Sequence, residues 1–342
     1  MSSLNRLFTV AAVTVLGASS SFAASGAFAT SVVQFVPGPS ANPSFPAANA
    51  IGGPTGGGLA NGSVHVCVLG VGGSLTLGFA NAIVDGPGAD FVAFENALTF
   101  GGGVFTEVAA VEVSTDGANF ARFPMRYVGP PVAQPPFGTL PMGTFSGVVG
   151  GMPILTNVAT NAIDPRDLPA GGGEGFDLAE LANDPLVVGG IVDLTDVRFV
   201  RIVDVPAGTV LDEVGAPIFD HGGSTGSADI DAVAVVRDQS DALAHTPIVD
   251  LRIDAGGFLV VEIGDADGFS DLDLATLSAS FDLTTLQLAS WLPAFTIVGA
   301  DATKVTLRSI APTVGSGILG AFAVSARDHA GDLAADQTML QR

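Results

Sequence analysis

Carboxylates are the one abundant reactive side-chain type in this sequence: 34 Asp and Glu stand against 12 Lys and Arg, for a formal net charge of −22. Their chemistry is cation binding, because calcium takes six to eight oxygen ligands and suits loops that gather Asp and Glu. In the first two thirds of the chain the candidates are Asp85, Asp90, Glu95, Asp229 and Asp231, at the ends of apolar runs. Strand alternation singles out Asp231: if Val233 and Val235 face a core, so does Asp231, and a core carboxylate needs a counter-charge. Three readings follow: a bound cation, an ion pair with a guanidinium such as Arg198 or Arg201, or a place at a solvated sheet end. In the last third, Asp265, Asp267 and Asp271, followed by Asp273, form a dense acidic loop. The loop is not an EF-hand, because Gly268 would put the first ligand position at Ile263. A polar Asp-Gly turn competes with a calcium site there, and the same two readings apply to Asp328 and Asp332 around Gly331.

Other chemistries find little purchase. Histidines 65, 221, 245 and 329 lack metal-ligand spacing, and no G-x-S-x-G elbow occurs. The single lysine, Lys304, lies outside any phosphate-binding loop motif, and Cys67 sits in an alternating apolar run that favours a packed thiol. So acidic a surface repels phosphate backbones and anionic lipid, which disfavours nucleic acid as a partner. One Trp and one Tyr, Trp291 and Tyr127, are too few for an aromatic sugar-stacking platform. No catalytic constellation is legible, and a non-enzyme is expected.

The elements that must position these residues are strands. Hydrophobic residues make up 48% and charged residues 13%, with 45 Gly and 21 Pro between short Val, Ile, Phe and Thr runs, which is an all-β pattern. Strands are expected at 32–36, 64–69, 74–79, 91–94, 109–114, 197–204 and 230–236. A tight turn is expected at Asp116-Gly117 and a short helix at 176–183, capped by Asp177. The Pro- and Gly-rich stretch 129–153 reads as a surface excursion. A second set of strands is expected at 248–254, 258–263, 274–282, 295–299, 304–309 and 319–326. Arg6, the apolar run from Leu7 to Ala18 and a small-residue exit read as an export signal. Cleavage fits after Ala23 or Ala29, with Ala27-Phe28-Ala29 preferred as an A-x-A site. The organisation expected is a signal at 1–29, a domain at 30–238, a linker at 239–247 and a second domain at 248–342. No apolar run reaches the ~20 residues of a membrane span.

The segments GGSLTLGF (72–79), IVDGPGADFVAFENAL (83–98), AVEVSTDGANFARFP (110–124), GFDLAEL (175–181), VRIVDV (200–205) and ADIDAVAVV (228–236) resemble a family of secreted bacterial cell-surface proteins. VEVSTDGANF and DIDAVAVV also resemble discoidin-like and galactose-binding-like jelly rolls. DADGFSDLD (265–273) and VSARDHAGDLAADQ (324–337) resemble bacterial immunoglobulin-like domains. The resemblance implies a jelly-roll β-sandwich followed by a smaller Ig-like sandwich. It implies a protein that is secreted or at the cell surface, with a periplasmic location also open, and no settled ligand. Together with the export signal and the missing catalytic motifs it leads to the expectation of a binding protein whose partner is an extracellular glycan or surface protein, and the carboxylates make calcium the candidate structural ion. Two alternatives remain at this point: a carbohydrate-active enzyme, and capture of a small nutrient such as a corrinoid for an outer-membrane receptor.

Overall fold

The computed structural model describes residues 27–221, 226–240 and 246–341. Most of the expected export signal, His245 and the centre of the expected linker lie outside the described residues. The chain is all-β, and among the described residues every ladder between strands is antiparallel.

The first half builds β1 (Ser31–Val36), β2 (Cys67–Val68), β3 (Ser74–Ile83), β4 (Phe91–Glu95), β5 (Ala109–Ser114), β6 (Val148–Val149), β7 (Glu174–Phe176), β8 (Val197–Asp204) and β9 (Asp229–Val235). One sheet runs β1-β3-β8-β5-β6 and the other β7-β4-β9-β2. Alternation decides which side chains meet between them: Leu75, Leu77, Val111, Val113, Val200 and Ile202 come from one sheet, and Phe91, Ala93, Ile230 and Val233 from the other. The Asp116-Gly117 turn forms as read, with Gly117 at φ 74° and the Asp116 carboxylate accepting the Ala118 and Asn119 N–H groups. The expected short helix is a 3-10 turn at Leu178–Leu181, with Asp177 capping the Ala179 N–H. The stretch 129–153 is more than an excursion: Leu140, Phe145 and Val148 join Met125, Tyr127 and Ile218 in a small core of their own.

The second half builds β10 (Pro247–Ile253), β11 (Leu259–Asp265), β12 (Leu272–Phe281), β13 (Phe295–Ala300), β14 (Lys304–Ser309), β15 (Gly320–Asp328) and β16 (Leu333–Leu340). The sheets β10-β11-β14-β13 and β12-β15-β16 close over Val249, Val261, Ile263, Leu307, Phe322 and Val324. Trp291 is buried in this core and Tyr127 in the other half, its hydroxyl donating to the Pro130 carbonyl, so neither offers an open stacking face.

The halves are fastened together along β15 and β16. Arg327 donates to Asp164 at 2.7 Å, Ser325 to Asp167 at 2.9 Å, and the Ala89 N–H to the Ala335 carbonyl at 3.1 Å. Ala323 and Ala335 share an apolar cluster with Ala89, Phe94 and Leu168. Gly88 permits this approach, since it sits at φ 79° and a Cβ there would collide with the Val249 carbonyl. No helix among the described residues is long and apolar enough to cross a membrane.

Candidate metal centres

The strand ends collect the carboxylates in three places. At the junction of the halves, Asp85, Asp90 and Asp177 bring one oxygen each within 4.8 Å of one another. Asp90 is fully buried and its Oδ2 accepts the Leu178 N–H at 2.8 Å. A guanidinium already serves this group, because Arg237 Nε lies 3.6 Å from Asp90 Oδ1 while its other nitrogens bond the Pro87 carbonyl and Thr246. Burial pushes Asp90 well above the ordinary carboxylate range and Asp177 up to about 7.

In the second half, Asp265 at the end of β11, Asp271 in the following loop and Asp328 at the end of β15 form the other triad with oxygens within 4.8 Å. Asp265 is fully buried; its Oδ1 accepts the Asp267 N–H at 2.8 Å, and its Oδ2 has no hydrogen-bond partner. Asp328 Oδ1 holds the turn that follows, accepting from Gly331 at 2.7 Å and Asp332 at 2.9 Å. The turn reading of Asp328 therefore describes one of its oxygens and the triad the side chain as a whole. The ionisable nitrogen beside the triad is His329 Nδ1, 3.9 Å from Asp271 on an exposed ring. Burial first, then repulsion from Asp271 and Asp328, raises Asp265. A buried carboxylate oxygen without donor or counter-ion is costly unless a cation meets it, and oxygen-only ligands at such spacing suit calcium. Asp267 is not part of the triad and supplies the backbone N–H of the turn instead.

The third gathering lies at one end of the first sandwich. Glu95 closes β4, Glu174 opens β7, Asp229 opens β9 and Asp204 closes β8, while Glu107 and Asp220 come from the loops alongside. The Asp229 N–H donates to Glu95 Oε1 at 3.0 Å, and the Val108 N–H to Asp220 Oδ2 at 3.0 Å. His221 Nδ1 stands 3.9 Å from Glu107. Burial first, and mutual repulsion second, push Glu107 and Asp220 up to about 8 and Asp229 to about 7, and hold Glu95 well above its usual value. These groups hold protons near neutrality. Glu95 and Asp229, both candidates from the sequence, adjoin each other, but without the close triad spacing of the other two groups.

Asp231 is buried, as the sequence implied, but neither expected guanidinium pairs with it. A bulge interrupts the β9 ladder at its position, between Ile230 and Ala232. Its carboxylate instead accepts the Thr55 N–H at 3.0 Å and the Thr55 hydroxyl at 3.3 Å. Arg201 pairs with Glu112 and Arg198 with Asp196, so neither is the partner of Asp231. Cys67 is fully buried, and burial pushes its thiol up to about 12, which leaves no thiolate for nucleophilic attack at neutral pH.

Glu107, Glu174, Asp204 and Asp220 carry no motif in the sequence, and Asp177 shows there only as a helix cap. Their shared signal is a single carboxylate abutting an otherwise apolar strand, as in Phe-Thr-Glu-Val-Ala-Ala and Arg-Ile-Val-Asp-Val. No protein-family model matches the chain. No match was found among curated proteins either.

Proposed function

We propose that this chain is an exported, non-catalytic binding protein of the cell surface or surroundings, calcium-stabilised in its second half, whose partner is an extracellular glycan or surface protein. The observation that carries the calcium part is the fully buried Asp265, which has an unpartnered Oδ2 and belongs to the Asp265–Asp271–Asp328 triad. The binding role draws its support from the export-like leader, the resemblance to secreted surface proteins and the absence of a catalytic constellation in the sequence. In calcium at about 100 times its dissociation constant, binding adds roughly 2.7 kcal/mol of stability. The expected result is an unfolding temperature at least about 5 °C higher in calcium than in chelator. Asp265→Ala abolishes that difference. A shift below about one degree in the native chain overturns calcium stabilisation, and release of reducing ends from a polysaccharide overturns the non-catalytic reading.

Export raises the question of the mature N-terminus. The Ala27 carbonyl accepts the Val235 N–H at 2.8 Å, the Ala29 N–H reaches the Val233 carbonyl at 3.3 Å, and Ala29 is buried. Cleavage after Ala29 would strip these residues from the edge of β9, whereas cleavage after Ala23 keeps them. The intact mass of the exported protein is expected to match the cut after Ala23; a mass matching Ala29 overturns that choice.

A further inference from the structure

Asp328, the last residue of β15, belongs to two systems at once. Its carboxylate is one corner of the Asp265–Asp271–Asp328 triad, and its Oδ1 also accepts the Gly331 and Asp332 N–H groups at 2.7 and 2.9 Å, closing the turn into β16. The same turn reaches the second corner, because the His329 N–H donates to the Asp271 carbonyl at 3.0 Å. Arg327 precedes Asp328 in the strand and so takes the opposite face. The turn holds one end of its guanidinium, with Nη1 donating to the Gly331 carbonyl at 2.9 Å. The other end crosses to the first half, with Nη2 donating to Asp164 Oδ2 at 2.7 Å. Asp164 is buried and takes two further bonds from Arg166, both at 3.0 Å, so the receiving side is fixed in place. The turn 328–332 is therefore the one piece of chain between the triad and the ion pair that joins the halves.

We infer that calcium at the triad locks the joint between the two halves: the ion draws the three carboxylates together, the turn 328–332 closes, and its Gly331 carbonyl seats Arg327 on Asp164. This rests on the calcium reading above and adds to it what the ion controls. Without an ion, three carboxylates within 4.8 Å of one another repel. Asp265 is anchored in β11, so the loop of Asp271 and the turn of Asp328 are the parts that yield. Two arrangements of one turn, biased by the ion on one side and by Asp164 on the other, supply the physical basis for coupling. Linkage makes that coupling reciprocal: if calcium tightens the clamp, the clamp tightens calcium by the same factor. Arg327→Gln separates this from plain electrostatics. Losing a positive charge beside the site strengthens cation binding by Coulomb attraction alone, whereas losing the clamp weakens it.

The test is calorimetric calcium titration of the full chain, with hydrogen exchange followed in calcium and in chelator. The amides of Asp167, Leu168, Ala170 and Gly171 bond within the first-half turn that begins at Asp164. In the native chain they are expected to exchange about tenfold faster in chelator, while the amides of β3 and β8 keep their rates. Arg327→Gln is expected to show the faster exchange in both buffers and to bind calcium about fivefold more weakly. Asp328→Asn keeps Oδ1 for the turn but lowers the ligand charge, and is expected to need more calcium for the same protection; it decides the matter if Arg327→Gln fails to fold. Calcium binding with unchanged exchange at 167–171, or with equal acceleration throughout the first half, overturns the lock and leaves the calcium site standing. An Arg327→Gln chain that binds calcium as tightly as the native one does the same. Absence of any calcium binding by the native chain overturns the site and the lock together.

Discussion

Replacing Phe91 with alanine is expected to destabilise the protein by about 3–5 kcal/mol, the cost of truncating a fully buried aromatic. Phe91 is 0% exposed in the middle of the first sandwich, with ring centroids 5.9 Å from Phe123 and 5.2 Å from Phe176, which are themselves 4.9 Å apart. The three rings come from β4, from the chain after β5 and from β7, so they join both sheets and anchor the strand that carries Glu174. Because total stabilities run to roughly 5–15 kcal/mol, the substitution removes a large share of the margin. Phe91→Leu, which refills most of the space, should cost about 1–2 kcal/mol. Urea unfolding followed by fluorescence and circular dichroism reads the difference, and a Phe91→Ala cost below about 1 kcal/mol would show that the three rings do not form the core's centre.

The second large effect is on pH dependence. Glu107, Glu174 and Asp220 are raised to about 8 chiefly by burial. A carboxyl whose folded-state pKa exceeds its unfolded value binds more protons when folded. Its contribution is therefore complete below the unfolded value and is lost as pH rises through about 8. Stability in chelator is thus expected to fall from pH 5 to pH 8.5. Glu174 alone accounts for about 2–4 kcal/mol of that loss, from 1.36 kcal/mol per unit of displacement. Glu174→Gln keeps an acceptor for Gly150 and Gly151 and cannot ionise, so it should gain stability at pH 8.5 and change little at pH 5. Asp164 works in the opposite sense at the acid end: burial would raise it, but Arg166 and Arg327 outweigh burial and hold it below its ordinary value. Its stabilisation is present above the ordinary carboxylate range and lost below it. The protein is expected to be most stable in mildly acidic solution, and a maximum above pH 8 would contradict the burial of the sandwich-end carboxylates.

The strands were legible because alternation is local: Val-Glu-Val-Ser and Val-Arg-Phe-Val-Arg-Ile-Val-Asp state their facing directly. The Asp-Gly turn was legible for the same reason, needing only positive φ at Gly117. The last strand, Leu333–Leu340, was hidden because Asp336 and Gln337 interrupt its apolar pattern. The structure supplies the compensation from far along the chain, with Asp336 Oδ2 accepting the Leu251 N–H at 2.6 Å. Asp231 shows a different limit: it is buried as the alternation implied, but the bulge at its position and its bonds to Thr55 come from pairing the sequence does not state. Of the carboxylate sites, Asp85 with Asp90 and Asp265 with Asp271 could be read together because they are close in sequence. Asp177 and Asp328 join them only through sheet pairing, and the sandwich-end group depends on strands separated by more than a hundred residues.

The contacts that run from Arg327 to Asp164 and from Ala89 to Ala335 have one more implication. A receptor or polymer strand that touches both halves meets surfaces whose mutual orientation is already set, so engaging the second surface costs little additional rotational entropy. Such a clamp would act like a jig: a partner held by both halves would have to match its fixed spacing.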